Sequence, residues 1–306
     1  MSESVPDLRS RYWAPVERNT TLTAELALIG ADKKVLEIGP GSGHMTEALV
    51  RQNCVVTCVE VSRDLNSMAG AFCHQMIVGD IELLCQEEGF PGEKFDVILF
   101  GDVLEHLRDP AAVLGKLRDH LTATGYLVAS VPNVAHASVR LALFNGEFNY
   151  NEEGLLDRTH LKFFTIDSLN ALLRSAGFSI VELRRTRAGV FNTEVKLSIE
   201  KISAGLLRRL MRDAEATTYQ FIFSAQPIAD DGGSSRPGEA AAFIDNGWSA
   251  RKGKTRLAKS MARRGRTLIQ RGAPAQSRAW LSRSFQLQPR IPTLFYWFYS
   301  FMPRSK

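Results

Sequence analysis

The residues in this sequence best suited to chemistry are four carboxylates, Glu37, Glu60, Asp80 and Asp102, each in or just after a short apolar run. The first lies in Val35-Leu-Glu-Ile-Gly-Pro-Gly-Ser-Gly-His44, where an apolar run enters a turn carrying Gly39, Gly41 and Gly43. Glycines at that spacing let a backbone bend sharply and approach a ligand closely. A dinucleotide site would place glycine or alanine at the sixth position, which is His44 here. Glu37, two residues before the first glycine, would repel a pyrophosphate and suits a cationic ligand. Glu60 closes the next apolar run, where a carboxylate can accept both hydroxyls of a ribose. Asp80 can accept an exocyclic amine of adenine while Ile81 packs on the ring. Asp102 closes the fourth run, within Phe100-Gly-Asp-Val-Leu-Glu-His-Leu107. One such acid alone is usually a cap or a solvated loop residue. Four at successive strand ends share the sheet edge where ligands bind in alternating α/β folds.

The elements that must position them read as alternating strand and helix. Strands are expected at 34–38, 54–60, 75–78, 95–100, 126–131, 180–185 and 219–225, and helices at 44–52, 63–72, 110–121, 134–144 and 166–176. The strands are near-continuous Val, Ile, Leu and Phe, as expected when helices cover both faces of a sheet. Asp109-Pro110 fits a cap followed by proline in the first helical turn, and Thr165 or Asp167 can cap the helix after it. The fold class is α/β: a doubly wound, mostly parallel seven-stranded sheet whose last strand enters antiparallel. With 44% apolar and 23% charged residues the chain is an ordinary globular composition, which excludes collagenous and disordered classes. No apolar run approaches the roughly 20 residues of a membrane span, and the N-terminus lacks the apolar stretch of a secretory signal. Cys54, Cys58, Cys73 and Cys85 lack metal or disulfide-scaffold spacing and read as small apolar residues in a cytoplasmic protein.

Together, LEIGPGSG, the acid at Glu60, VGDIE and FDVILFGDVLEHLRDP resemble the ordered motifs of class I S-adenosylmethionine-dependent methyltransferases, across about residues 30–228. The resemblance implies S-adenosylmethionine as cofactor. Glu37, Gly39, Gly41 and Gly43 would surround its methionine moiety, and Glu60 would hold the ribose. Asp80 and Ile81 would hold the adenine, and Asp102 would lie near the aminoacyl end. The stretch Gly154–Phe164 is similar to bacterial methyltransferases associated with surface-polysaccharide or small-molecule biosynthesis, which suggests a small-molecule or glycan acceptor. A hydroxyl acceptor calls for a general base. His160, in a polar loop, is the first candidate, and His106 and His136 follow; each also fits a structural histidine. Asp157 and Arg158 fit either a loop-fixing ion pair or acceptor contacts. Phe148 and Tyr150, flanked by asparagines, suit the lining of an acceptor pocket under a lid at 132–165, alongside Tyr12-Trp13. Asp102, Glu105 and His106 fall at i, i+3 and i+4, a spacing open to a divalent metal. A capped turn salt-bridged to Arg108 accounts for it more simply, so no metal is assigned.

Net charge separates two unlike pieces. Residues 246–306 hold 14 Lys+Arg and no acids, leaving 24 basic and 33 acidic residues before them. The expected organisation is an N-terminal cap segment at 1–29, a methyltransferase domain at 30–228, a Gly/Ser/Pro linker at 229–245 and a basic, aromatic helical tail at 246–306. The tail suits an anionic membrane surface or a protein partner on the inner face of the membrane. Part of it, Ala279–Pro289, resembles helical tails of some glycan-processing glycosyltransferases. Nucleic acid fits less well, because no RNA-binding module accompanies the charge. The reading that follows is O-methylation of a sugar, glycan-lipid precursor or other small metabolite. An RNA methyltransferase and an inactive cofactor-binding scaffold that recruits glycan enzymes are its rivals.

Overall fold

A computed structural model describes residues 20–62, 68–87, 92–198, 201–229, 242–243, 250–271 and 273–287. Tyr12, Trp13, most of the linker and the aromatic run at 295–301 lie outside the described residues.

The β-branched runs form β1 (Lys34–Ile38), β2 (Val55–Glu60), β3 (Gln75–Val78), β4 (Phe95–Gly101), β5 (Leu121–Pro132), β6 (Phe178–Arg187) and β7 (Thr218–Pro227). The two-residue β8 (Ala242–Phe243) adds to the edge. Their order is β3-β2-β1-β4-β5-β7-β6-β8. β1 pairs in parallel with β2 and β4, β2 with β3, and β4 with β5, whereas β7 runs antiparallel to β5. The seven-stranded, mostly parallel sheet and its antiparallel late strand match the expectation. β5 starts at Leu121, five residues before the expected Tyr126, because Leu121 pairs with Phe95 across a register shift. The preceding helix is correspondingly shorter, since ladder pairing overrides helical spacing at its end.

The helices are α1 (Thr21–Ile29), α2 (His44–Arg51), α3 (Ile81–Leu84), α4 (Pro110–Arg118), α5 (Ala137–Phe144), α6 (Ile166–Ser175), α7 (Ala204–Leu210), α8 (Ala250–Gln270) and α9 (Pro274–Leu287). Asp109 caps α4 by accepting from Ala112 N at 3.0 Å, and Thr165 with Ser168 forms a capping box on α6.

The chain divides into two compact units. The first comprises 1–132, 159–186 and 220–244 and holds the sheet. Successive residues of its central strands serve opposite cores. Leu36, Ile98 and Phe100 belong to one apolar cluster, and Val35, Val97 and Leu99 to the other. With both faces covered, ligand chemistry is left to the strand ends.

The second unit comprises 133–158, 187–219 and 245–306. Its core joins Leu141 of α5, Phe191, Leu207 of α7, Met261 of α8 and Trp280 of α9. The described part of α8 therefore turns Ala258, Met261 and Ala262 into a protein core. The described part of the expected tail thus contributes side chains to a protein core. Ser284 Oγ donates to Ala258 O at 2.7 Å, and Arg283 Nε donates to Ile202 O at 2.5 Å. Among the described residues no helix is long and apolar enough to cross a membrane.

Candidate cofactor and acceptor site

The glycine turn after β1 is a left-handed cradle, with φ of +67° at Gly39, +55° at Gly41 and +82° at Gly43. A Cβ on Gly43 would stand 2.8 Å from Ala69 Cα, so a side chain there collides with backbone. A Cβ on Gly41 would meet nothing within 4 Å, which leaves open space over the turn. Glu60, buried at the end of β2, ties the turn down. It accepts from Gly41 N at 3.2 Å and from Ser62 N at 2.8 Å. A cavity of about 250 Å³ follows, lined among others by Gly39, Glu60, Asp80, Ile81, His106 and Leu161. Asp80 also caps α3, accepting from Glu82 N at 2.8 Å. An acid at the second strand, an acid and an apolar residue at the third, and a glycine cradle at the first line a slot that suits a nucleoside.

The neighbouring strand ends hold a cluster of acids, Glu37 buried and Asp102 half-buried. Glu37 accepts from Thr46 Oγ1 at 2.7 Å and lies 3.7 Å from Cys58 Sγ, and burial pushes its carboxyl up to about 7. Cys54 and Cys58 are buried free thiols. Asp102 occupies a left-handed backbone position, φ +52°, and turns its carboxylate inward. It accepts from Ser130 Oγ at 2.8 Å and from Gln220 Nε2 at 2.9 and 2.8 Å on its two oxygens. Thr21 Oγ1 in turn donates to Gln220 Oε1 at 2.5 Å. Burial raises the Asp102 carboxyl above its usual range. Sequence reasoning missed Glu25 on α1, which is 3% exposed and joins this cluster. Its signal was a lone acid inside the apolar stretch TLTAELALI. Gln220 and Ser130 gave no signal, because only the β5–β7 pairing brings them to Asp102.

Because Asp102 turns inward, it does not share a face with Glu105 and His106 as the i, i+3, i+4 spacing suggested. Glu105 instead meets a residue far along the chain. It is 1% exposed, and its Oε1 lies 4.0 Å from Nε2 of His160. Its backbone carbonyl accepts from Leu161 N at 2.8 Å and Lys162 N at 2.9 Å, which pins the His160 segment to the turn after β4. His106 packs edge-on to His160 with ring centroids 4.9 Å apart, and its Nδ1 lies 3.2 Å from Thr159 O. Glu105, His106 and His160 offer ligand atoms within 4.8 Å of one another, so a divalent cation is sterically possible there.

The remaining expected acceptor contacts belong to the second unit. His136 is a correction: it is fully buried as the cap of α5, with Nδ1 accepting from Ser138 N at 3.2 Å and Nε2 3.2 Å from Ala188 O. With both ring nitrogens engaged in the fold, and burial lowering its pKa to about 4, it is not an acceptor contact. Arg158 forms an ion pair with Glu152, and the backbone of Asp157 forms a β-bridge with Asn151. Phe148 and Tyr150 form an exposed edge-to-face pair, centroids 5.4 Å apart.

A mostly parallel sheet in this order, with acids at or beside four strand ends and a glycine cradle, is an α/β arrangement of the methyltransferase type. Residues 9–183 match the family described as a methyltransferase domain. The chain belongs to that family. Among curated relatives it is similar to the ubiquinone biosynthesis O-methyltransferase of Psychrobacter arcticus, 32% identical over 51% of this chain and 62% of the relative. The enzyme of the same name from Cereibacter sphaeroides is 29% identical over 54% of this chain and 67% of the relative. The chain thus spans about two thirds or less of the length of such relatives. Similar solved structures include the CcbJ methyltransferase of Streptomyces caelestis, with 15% identity, a TM-score of 0.48, and 72% of this chain and 95% of that one covered. Another is a SAM-dependent methyltransferase of Archaeoglobus fulgidus, with 18% identity, a TM-score of 0.48, and 68% and 95% covered.

Proposed function

We propose that the protein methylates a hydroxyl of a small-molecule acceptor, with His160 as general base and Glu105 as the group that orients it. The observation carrying this is the buried Glu105–His160 pair, 4.0 Å apart at the end of β4, beside the slot that His106 and Leu161 line. The open cradle over Gly41 and the carboxylate of Glu60 fit S-adenosylmethionine, which supplies an electrophilic methyl on a sulfonium. Glu60 would hold the ribose hydroxyls, Asp80 and Ile81 the adenine, and Gly39, Gly41 and Gly43 would admit the methionine moiety. His160 takes the acceptor proton on its imidazole, and Glu105 Oε1 stabilises the imidazolium through Nε2. Such a base contributes about 10²–10⁴ in rate, while in-line positioning supplies the larger share, up to roughly 7–11 kcal/mol.

The likeness to ubiquinone biosynthesis O-methyltransferases favours an oxygen acceptor, and the apolar Val103, Leu107 and Leu161 beside the slot suit a hydroxyl carried on an apolar ring. A sugar-like acceptor is a second reading, favoured by the exposed Phe148–Tyr150 pair and its flanking asparagines. The basic second unit, 22 Lys+Arg against 9 Asp+Glu, would bring the enzyme to an anionic surface where a lipophilic acceptor resides. Incubation with methyl-labelled cofactor and, separately, a dihydroxybenzene series and a cell-envelope sugar-lipid extract tests the assignment by mass spectrometry. Label on a phenolic oxygen is expected. Label confined to sugar selects the second reading, and label on neither, with cofactor binding intact, contradicts catalysis.

A further inference from the structure

Three carboxylates, the buried Glu25 and Glu37 and the half-buried Asp102, gather where β1 and β4 end under α1, and among the described residues none of them is in an ion pair. Glu37 and Asp102 have hydrogen-bond donors. Glu25 differs: its Oε1 is buried with no hydrogen-bond partner. That oxygen lies 3.4 Å from where a Cβ on Gly101 would be, so its carboxylate rests directly on the strand end that precedes Asp102. A buried carboxylate oxygen without a donor is costly unless the group is neutral or meets a cation.

We propose that Glu25 is a cofactor-sensing residue: protonated in the free enzyme, it gives up its proton when the cationic methionyl end of the cofactor enters, and so favours the sulfonium over the uncharged thioether product. The inference rests on the cofactor reading above and adds a residue and a proton to it. The surroundings of Glu25 support the neutral form in the free enzyme. Burial, the like charge of Asp102 and more weakly that of Glu37 push its carboxyl up to about 8, and Ser130 alone pulls the other way. Of the other charged groups near α1, Arg184 spends Nη1 on Ala24 O and Nε on Glu182. An arriving cation would reverse the balance, because opposite charge at close range favours the ionised form. Loss of the sulfonium charge on methyl transfer removes that support, and the carboxylate takes a proton back as the product leaves.

The sign follows from linkage: a site that releases a proton on binding binds more tightly as pH rises, by up to about tenfold per pH unit below the free-state pKa. Calorimetry of the full chain with S-adenosylmethionine and with S-adenosylhomocysteine, from pH 6 to 9 and in two buffers of different ionisation enthalpy, counts those protons. The wild type is expected to release close to one proton per sulfonium bound at pH 7 and fewer with the thioether. Glu25→Gln, an isosteric change checked by thermal melting, is expected to lose that release, flatten the pH slope and narrow the preference for sulfonium over thioether. Proton release by the wild type that is absent, or unchanged in Glu25→Gln, overturns the inference while leaving the cofactor assignment standing. Absence of any binding by the wild type overturns both.

Discussion

At the scale of single residues, His160 and His136 have opposite expected roles, one in the proposed chemistry and one in the fold. His160→Gln is expected to lower kcat by about 10²–10⁴ while cofactor affinity stays within twofold, a split visible in single-turnover rates beside binding isotherms. Glu105→Gln should lower kcat less, because it removes the orienting charge and keeps the base. His136 should behave oppositely. Its folded pKa lies near 4, below the ordinary 6.5, so the unfolded chain binds more protons between those values. Stability at His136 is therefore present above about pH 6.5 and is lost as pH falls toward 4. His136→Gln is expected to flatten that acid limb in thermal melts across pH 4–7, with no change in the pH profile of turnover. The acids at strand ends were legible because Glu37, Glu60, Asp80 and Asp102 each stand beside an apolar run. The partnership of Glu105 with His160 was not, since 55 residues separate them and only backbone bonds from Leu161 and Lys162 bring them together.

Elements decide which glycines tolerate change. Gly43→Ala drives a Cβ to 2.8 Å from the Ala69 backbone, and destabilisation of about 1–3 kcal/mol is expected in chemical denaturation. Gly41→Ala meets open space, so only the left-handed backbone cost of roughly 1–2 kcal/mol opposes it. Its Cβ would intrude on the ligand side, and cofactor affinity should fall at least tenfold in the same preparation. Strands β1 and β3 fell where their β-branched residues put them, and the Asp109-Pro110 cap opened α4 as read. α1 escaped notice because TLTAELALI has almost no polar face, so its helical periodicity is weak. α7 escaped because seven residues carry too little pattern to read.

Over the whole molecule the charge is unequal: the sheet unit carries 16 basic and 24 acidic residues, the second unit 22 and 9. The basic character of 246–306 was legible as composition. Its folding with 133–158 and 187–219 was not, because the contacts of Trp280 with Phe191, centroids 4.7 Å apart, link stretches 89 residues apart. Trp280→Ala is expected to destabilise the protein by about 3–5 kcal/mol, which a tail appended outside any core would not show. The proposed methyl transfer depends on a nucleoside sulfonium seated across the ends of β1 to β4, with Glu60 on its ribose. Calorimetry of the wild type and Glu60→Ala with S-adenosylhomocysteine and with NAD measures this most directly. One mole of S-adenosylhomocysteine bound per mole of wild type, at least tenfold weaker binding in the variant and no heat with NAD are expected. Saturable binding of NAD with none of S-adenosylhomocysteine would contradict the account.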